Sequence, residues 1–169
     1  LSTHLAQRLA EARRFKHKVA VMFIDLDNFK HINDNFGHSV GDALLRTVSQ
    51  RMLACLRSYD LLVRFGGDEF VVVLAGIDDF SEAAQVARKL IDTIRPVIEV
   101  DGHELTVSTS IGVSLFPEDG ENTEDLLRHA DIAMYSAKES GRNCFHRYRP
   151  EQPTSAEQSP LKDKYSAST

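Results

Sequence analysis

The sequence predicts an α/β domain with a mixed sheet flanked by helices, and three observations carry that expectation. Helical and strand-like stretches alternate in the order helix, strand, helix, hairpin, helix, hairpin, helix. Residues 19–24 are apolar throughout and rich in β-branched side chains, the pattern of a strand covered on both faces. Gly66-Gly67 and Asp101-Gly102 each separate two short apolar runs, which marks two hairpins.

In chain order, Leu1, Leu5, Leu9 and Ala12 recur at helical spacing and predict an amphipathic helix to about residue 16. The buried strand follows, then a polar break containing Asn28, Asn33 and Asn35. Val40, Leu44, Val48, Met52 and Leu56 lie four apart and predict a long helix over 39–56. Strands are expected at 61–65 and 70–74. Ser81 opens a third helix, with Ala83, Val86, Leu90 and Ile94 inward, and Pro96 ends it. Strands at 97–100 and 105–116 come next, the second with a break expected near Ser110. Asn122 and the acids after it suit a helix N-terminus. That last helix turns Leu126, Ala130, Ala133 and Ala137 inward and stops at Gly141. From Pro150 the texture becomes polar and proline-rich, so residues 150–169 read as a disordered tail or linker after a domain of residues 1–149.

Composition narrows the function classes. The 169 residues suffice for one domain with a real core, and 42% hydrophobic with 27% charged content is ordinary for a globular protein. A net charge of −5 without long like-charged blocks argues against coating a nucleic acid polymer by charge. It leaves room for a local cationic cluster that grips a nucleotide. Cys55 and Cys144 lie far apart without metal-ligand spacing and read as small core hydrophobes in a reducing, cytoplasmic setting. No apolar run could span a bilayer. Leu1 stands where a start methionine would, so a fragment of a longer protein is expected, with any membrane anchor or sensor lying upstream of it.

The chemistry concentrates at two acidic pairs. Asp25 and Asp27 leave the buried strand where a carboxylate is poorly solvated and needs a partner. Asp27 can be read as a helix cap beside a surface Asp25, or Asp25 as a ligand of Mg²⁺, which favours one or two carboxylates with phosphate oxygens and water. The tip of the Gly66-Gly67 hairpin weighs on that choice. Asp68 and Glu69 follow Gly66 and Gly67 directly, and adjacent like charges repel unless a cation lies between them. If this hairpin pairs beside the buried strand, Asp68 and Asp25 meet at one end of the sheet. The two glycines would let a bulky ligand lie close over the turn.

These residues belong to a wider set: Asp25 to Asp34 (DLDNFKHIND), Gly37-His38 with Gly41-Asp42, Arg64 to Phe70 (RFGGDEF), Ser110 to Ser114 (SIGVS), and Ala130 to Tyr135 (ADIAMY) with Lys138 and Gly141-Arg142-Asn143. In this order they resemble the GGDEF family of diguanylate cyclases over residues 1 to about 147. The resemblance implies a mainly antiparallel central sheet like that of nucleotidyl cyclase and polymerase palm domains. It also implies condensation of two GTP into cyclic di-GMP across a homodimer, with Mg²⁺ or Mn²⁺. Asp25, the Leu26 carbonyl, Asp68 and Glu69 would hold the cations, and Glu69 would alternatively help deprotonate the 3′-hydroxyl. Asn33 and Asp42 would read guanine, while Lys30, Lys138 and Arg142 would grip the β- and γ-phosphates. Lys138 and Arg142, four apart, are expected on one helical face. Arg57 and Asp60 match the family's Arg-x-x-Asp feedback site for the product, or else form a local i, i+3 ion pair closing the long helix. The family's Asp-x-Leu-Thr-Gly-Leu-x-Asn-Arg segment would precede Leu1. A competing expectation is a catalytically silent GTP- or cyclic di-GMP-binding regulatory domain, fused in its parent to a sensory or phosphodiesterase domain.

Overall fold

The computed structural model describes residues 1–150; the tail expected over 150–169 falls, apart from Pro150, outside them. The elements are α1 (Ser2–Phe15), β1 (Lys18–Leu26), α2 (Phe29–Phe36), α3 (His38–Cys55), β2 (Leu61–Gly66), β3 (Glu69–Ile77), α4 (Phe80–Ile94), β4 (Ile98–Val100), β5 (His103–Leu105), β6 (Thr109–Phe116), α5 (Thr123–Glu139) and β7 (Phe145–Arg147). The main sheet runs β2-β3-β1-β6-β7, antiparallel except where β7 joins β6 in parallel. No helix among the described residues is long and apolar enough to cross a membrane.

Central position explains the composition of β1. It pairs with β3 on one side and β6 on the other, so both rows of its backbone groups are satisfied. Its side chains alternate between two cores. Ala20, Met22, Ile24 and Leu26 join the core under α2, α3, α4 and the β4–β5 ribbon. Val19, Val21 and Phe23 join the core under α1 and α5. A strand covered on both faces has no polar side, hence the unbroken apolar run.

Helix ends follow local chemistry. Asn122 caps α5 by accepting from the Asp125 amide at 2.8 Å. Asp79, rather than Ser81, caps α4, accepting from the Ser81 amide at 2.7 Å. At the other end of α4, Arg51 reaches across from α3 to the carbonyls of Ile94 (3.2 Å), Pro96 (2.7 Å) and Val97 (3.0 Å). Gly112 lets β6 lie directly on α5: a Cβ there would stand 1.9 Å from the Ala130 carbonyl oxygen and 2.0 Å from the Met134 nitrogen.

Several expectations change. The polar break after β1 is the two-turn helix α2, whose Phe29 and Ile32 pack inward while its asparagines face out or lie half-buried. The second hairpin forms, but as a separate two-stranded ribbon, because the 105–116 run breaks at 106–108 before β6 begins at Thr109. The short strand β7 carries no periodic pattern and exists because β6 offers a free edge. Cys55 and Cys144 are free and only half-buried. Phe36 is 39% exposed and tilts against His103.

Gly112→Ala is expected to destabilise the domain by roughly 3 kcal/mol or more, since the colliding atoms are backbone and cannot rotate away. Equilibrium unfolding in urea checks this; a loss below about 0.5 kcal/mol would contradict the close packing of β6 on α5.

Candidate functional site

Register brings the acidic pairs together. Asp25, at the end of β1, stands opposite Glu69 on β3 and Ser110 on β6. The Leu26 amide donates to the Asp68 carbonyl at 3.2 Å, so the Gly66-Gly67 turn is laced to the same strand end. Arg64 holds that turn from below, its Nε and Nη2 donating to the Gly67 carbonyl at 3.0 and 2.7 Å. Space above Gly67 is open, with no atom within 4 Å of where a Cβ would be. A ligand can therefore lie against the turn backbone.

Asp25 is 7% exposed and carries the strongest electrostatic tension in the site. Burial, then the neighbouring Asp68, push its carboxyl up to about 6; Glu69 adds to the rise and Lys138 opposes it. Lys138, in the last turn of α5, places its Nζ 3.0 Å from Asp25 Oδ1. Parity accounts for the meeting: Asp25 continues the odd-numbered face of β1, the face covered by α5. A cation beside Asp25 is thus already part of the folded chain, supplied by Lys138.

Asp27 departs from the helix-cap reading the sequence allowed. Asn28, not Asp27, occupies the N-cap position of α2, and it makes no side-chain cap bond. The Asp27 carboxylate is 4% exposed and accepts from Ser108 Oγ at 2.6 Å, Ser110 Oγ at 2.7 Å and the Asn143 amide at 3.2 Å. Sequence reasoning missed this network, together with Arg64. The available signal was the period-two spacing of Asp25 and Asp27, which sends both to one face.

The remaining candidates spread around this end of the sheet. Asn33 packs against α3 at Gly41, where a Cβ would lie 1.8 Å from Asn33 Oδ1; only a glycine allows α2 and α3 to close around that amide. Asp42 is exposed one residue further along α3, and Lys30 is exposed in the first turn of α2. Arg142 does not share a helical face with Lys138. Helix α5 stops at Glu139, and Gly141, Arg142 and Asn143 all turn left-handed, with φ of 111°, 64° and 49°. The exposed Arg142 leaves from that turn instead.

Arg57 and Asp60 lie beyond the end of α3 and form no side-chain ion pair closing it. Asp60 Oδ2 accepts from the Arg57 amide at 2.8 Å, and burial raises its carboxyl above the usual range. The exposed Arg57 guanidinium donates to the Tyr59 hydroxyl at 3.0 Å and lies 3.6 Å from Glu82.

Among the described residues no three His, Cys, Asp or Glu side chains are placed to enclose a metal ion on their own. The oxygen donors at the end of β1, one of them with its carboxyl pushed up by burial and by Asp68, instead suit a hard divalent cation that brings phosphate oxygens with it.

The sequence and the fold are similar to those of known proteins. The family described as "Diguanylate cyclase, GGDEF domain" matches residues 1–144. The chain is 42% identical over 147 residues to the bifunctional diguanylate cyclase/cyclic di-GMP phosphodiesterase MucR of Pseudomonas aeruginosa, covering 86% of this chain and 21% of MucR. It is 40% identical over 139 residues to diguanylate cyclase TpbB of the same organism, covering 82% of this chain and 32% of TpbB. The crystal structure of the TpbB GGDEF domain superposes with a TM-score of 0.86 at 37% identity, covering 88% of this chain and 92% of that one. The chain thus spans between a fifth and a third of the length of these two curated relatives.

Two outcomes follow from the tension at Asp25. Its folded pKa of about 6 exceeds its ordinary 3.8, so the stability that this one group contributes to the cation-free domain is full below pH 4 and is lost as pH rises through 6. The loss approaches about 3 kcal/mol at neutrality. Asp25→Asn, which cannot ionise, should be the more stable protein at pH 7.5 and lose that advantage at pH 4, as urea unfolding at the two pH values measures. Lys138→Met should move the Asp25 pKa above 6 in a carboxyl-carbon NMR titration; an unchanged value would remove Lys138 as its counter-charge.

Proposed function

The chain belongs to the GGDEF family of diguanylate cyclases, and from that premise we propose that it condenses two GTP into cyclic di-GMP with release of pyrophosphate. The observation that carries this reading is the convergence of Asp25, Asp68 and Glu69 at one sheet end beside Lys138 and an open glycine turn. Neither the acidic pair nor the glycines are degenerate.

In this reading Asp25, the Leu26 carbonyl, Asp68 and Glu69 hold Mg²⁺ or Mn²⁺, which when bound neutralises phosphate charge and acidifies the 3′-hydroxyl. Glu69 alternatively takes the hydroxyl proton. Lys138 neutralises Asp25 before substrate arrives and turns to the β- and γ-phosphates with it, joined by Lys30 and Arg142. Asn33 and Asp42 read guanine from the α2–α3 corner, where an Asp carboxylate accepts from N1–H and N2–H₂. The Gly66-Gly67 backbone lets the nucleotide lie close. One domain offers one such site, so a two-fold homodimer sets two GTP face to face. Arg57 and Asp60 form the product-feedback site, with an exposed guanidinium suited to guanine or phosphate. A cytoplasmic setting, where GTP is available, completes the reading. Sensory or phosphodiesterase domains in the parent protein would supply the control.

Incubation with GTP and Mg²⁺, following pyrophosphate and cyclic di-GMP, tests the activity. Both products in a two-to-one ratio are expected, with a rate that rises faster than linearly in protein concentration. GTP bound without product at high protein concentration would instead assign a silent regulatory domain. Arg57→Ala should leave the initial rate intact and keep the progress curve straight as product accumulates. Undiminished product inhibition in that variant would remove Arg57 from the feedback site.

A further inference from the structure

We propose that Asp27 is a positioning residue for triphosphate recognition, fixing the turn that carries Arg142; the proposal rests on reading this end of the sheet as a GTP site. A carboxylate this deeply buried is costly unless its lone pairs are filled. Its donors come from two separate segments: Ser108 and Ser110 at the start of β6, and the Asn143 amide after α5. Asp27 therefore ties the acidic end of β1 to the chain that returns from α5.

That returning chain needs tying. Arg142 and Asn143 sit in the left-handed region, where a residue with a Cβ is disfavoured, and such conformations persist only when surroundings hold them. The Gly141 amide to Lys138 O (3.3 Å) and the Arg142 amide to Ala137 O (3.2 Å) complete the helix end. Neither bond links the turn to the sheet. The Asn143 amide on Asp27 does so, and the Ile111 amide on the Cys144 carbonyl at 3.0 Å follows it. Arg142 lies next to Asn143 in the chain. The origin of its guanidinium is thereby set relative to Asp25 and Lys138, although Asp27 itself touches no substrate.

The test is a double-mutant cycle read by binding rather than turnover. The probe is 3′-deoxy-GTP with Mg²⁺, which cannot cyclise, titrated calorimetrically. Asp27→Ala should weaken binding about tenfold, whereas Asp27→Asn should stay within about threefold. An Asn oxygen can still accept from Asn143 and Ser108 while its amide donates to the Ser110 hydroxyl. In an Arg142→Ala background, Asp27→Ala should cost nothing further. Amide hydrogen exchange should accelerate at residues 142–144 in Asp27→Ala and leave α3 and α4 protected. If Asp27→Ala does not fold, the Ser108→Ala/Ser110→Ala pair frees the carboxylate from β6 and should show a smaller loss, again absent without Arg142. Equal losses with and without Arg142, or unchanged affinity in folded Asp27→Ala, would overturn the proposal alone. Failure of the unaltered chain to bind the nucleotide would overturn the GTP reading and this proposal with it.

Discussion

Antiparallel pairing of β1 on both edges is the constraint from which the rest of this structure follows. With β3 on one side and β6 on the other, β1 has no slack in register, and a shift of one residue would exchange its two faces. Its odd-numbered face is apolar through Phe23 and then carries Asp25 before reaching solvent, so a carboxylate arrives at the sheet end half in the core. Everything chemical around it answers that charge. Lys138 comes down from α5 to neutralise it, while Asp68 and Glu69 come from the neighbouring hairpin and oppose it. The fold accepts a carboxyl pushed up to about 6 by burial and by Asp68, the kind of perturbation that clusters at functional sites.

Rigidity at this end comes from backbone contacts more than from side-chain charge. Arg64 clamps the glycine turn through a carbonyl, and the Leu26 amide fastens the same turn to β1. Gly112 and Gly41 each permit a close approach, the first of β6 to α5 and the second of α3 to the Asn33 side chain. These two glycines look interchangeable in the sequence. Each is explained only by what a Cβ would strike.

Much of the fold was legible beforehand because its elements obey simple periodicities. The apolar run of β1, the four-residue spacing of α3 and the Asn122 cap of α5 each have a local cause. Elements without a local cause were missed. Helix α2 is eight residues long and rich in asparagine, so nothing in its composition outweighs the turn preference of those residues. Strand β7 depends on an open edge of β6. The argument that placed Lys138 and Arg142 on one helical face failed because it assumed that the helix ran on past Glu139.

Residue order alone accounts for the two-faced burial of β1, the hairpin with its acidic tip, and the identity of the residues that carry charge. Family resemblance in Asp25 to Asp34 and Arg64 to Phe70 is a matter of residue order and needs no coordinates. Tertiary structure decided which charges meet. The pairing of Lys138 with Asp25 spans 113 positions, and the bond from Asn143 to Asp27 spans 116, both set by how α5 lies across the sheet. Local periodicity cannot encode such contacts, because they depend on the packing of Gly112 under α5 and on where that helix ends. The role of Asp27 is the clearest case. As a letter in the chain it could cap a helix, and only the fold makes it the acceptor that joins two distant segments.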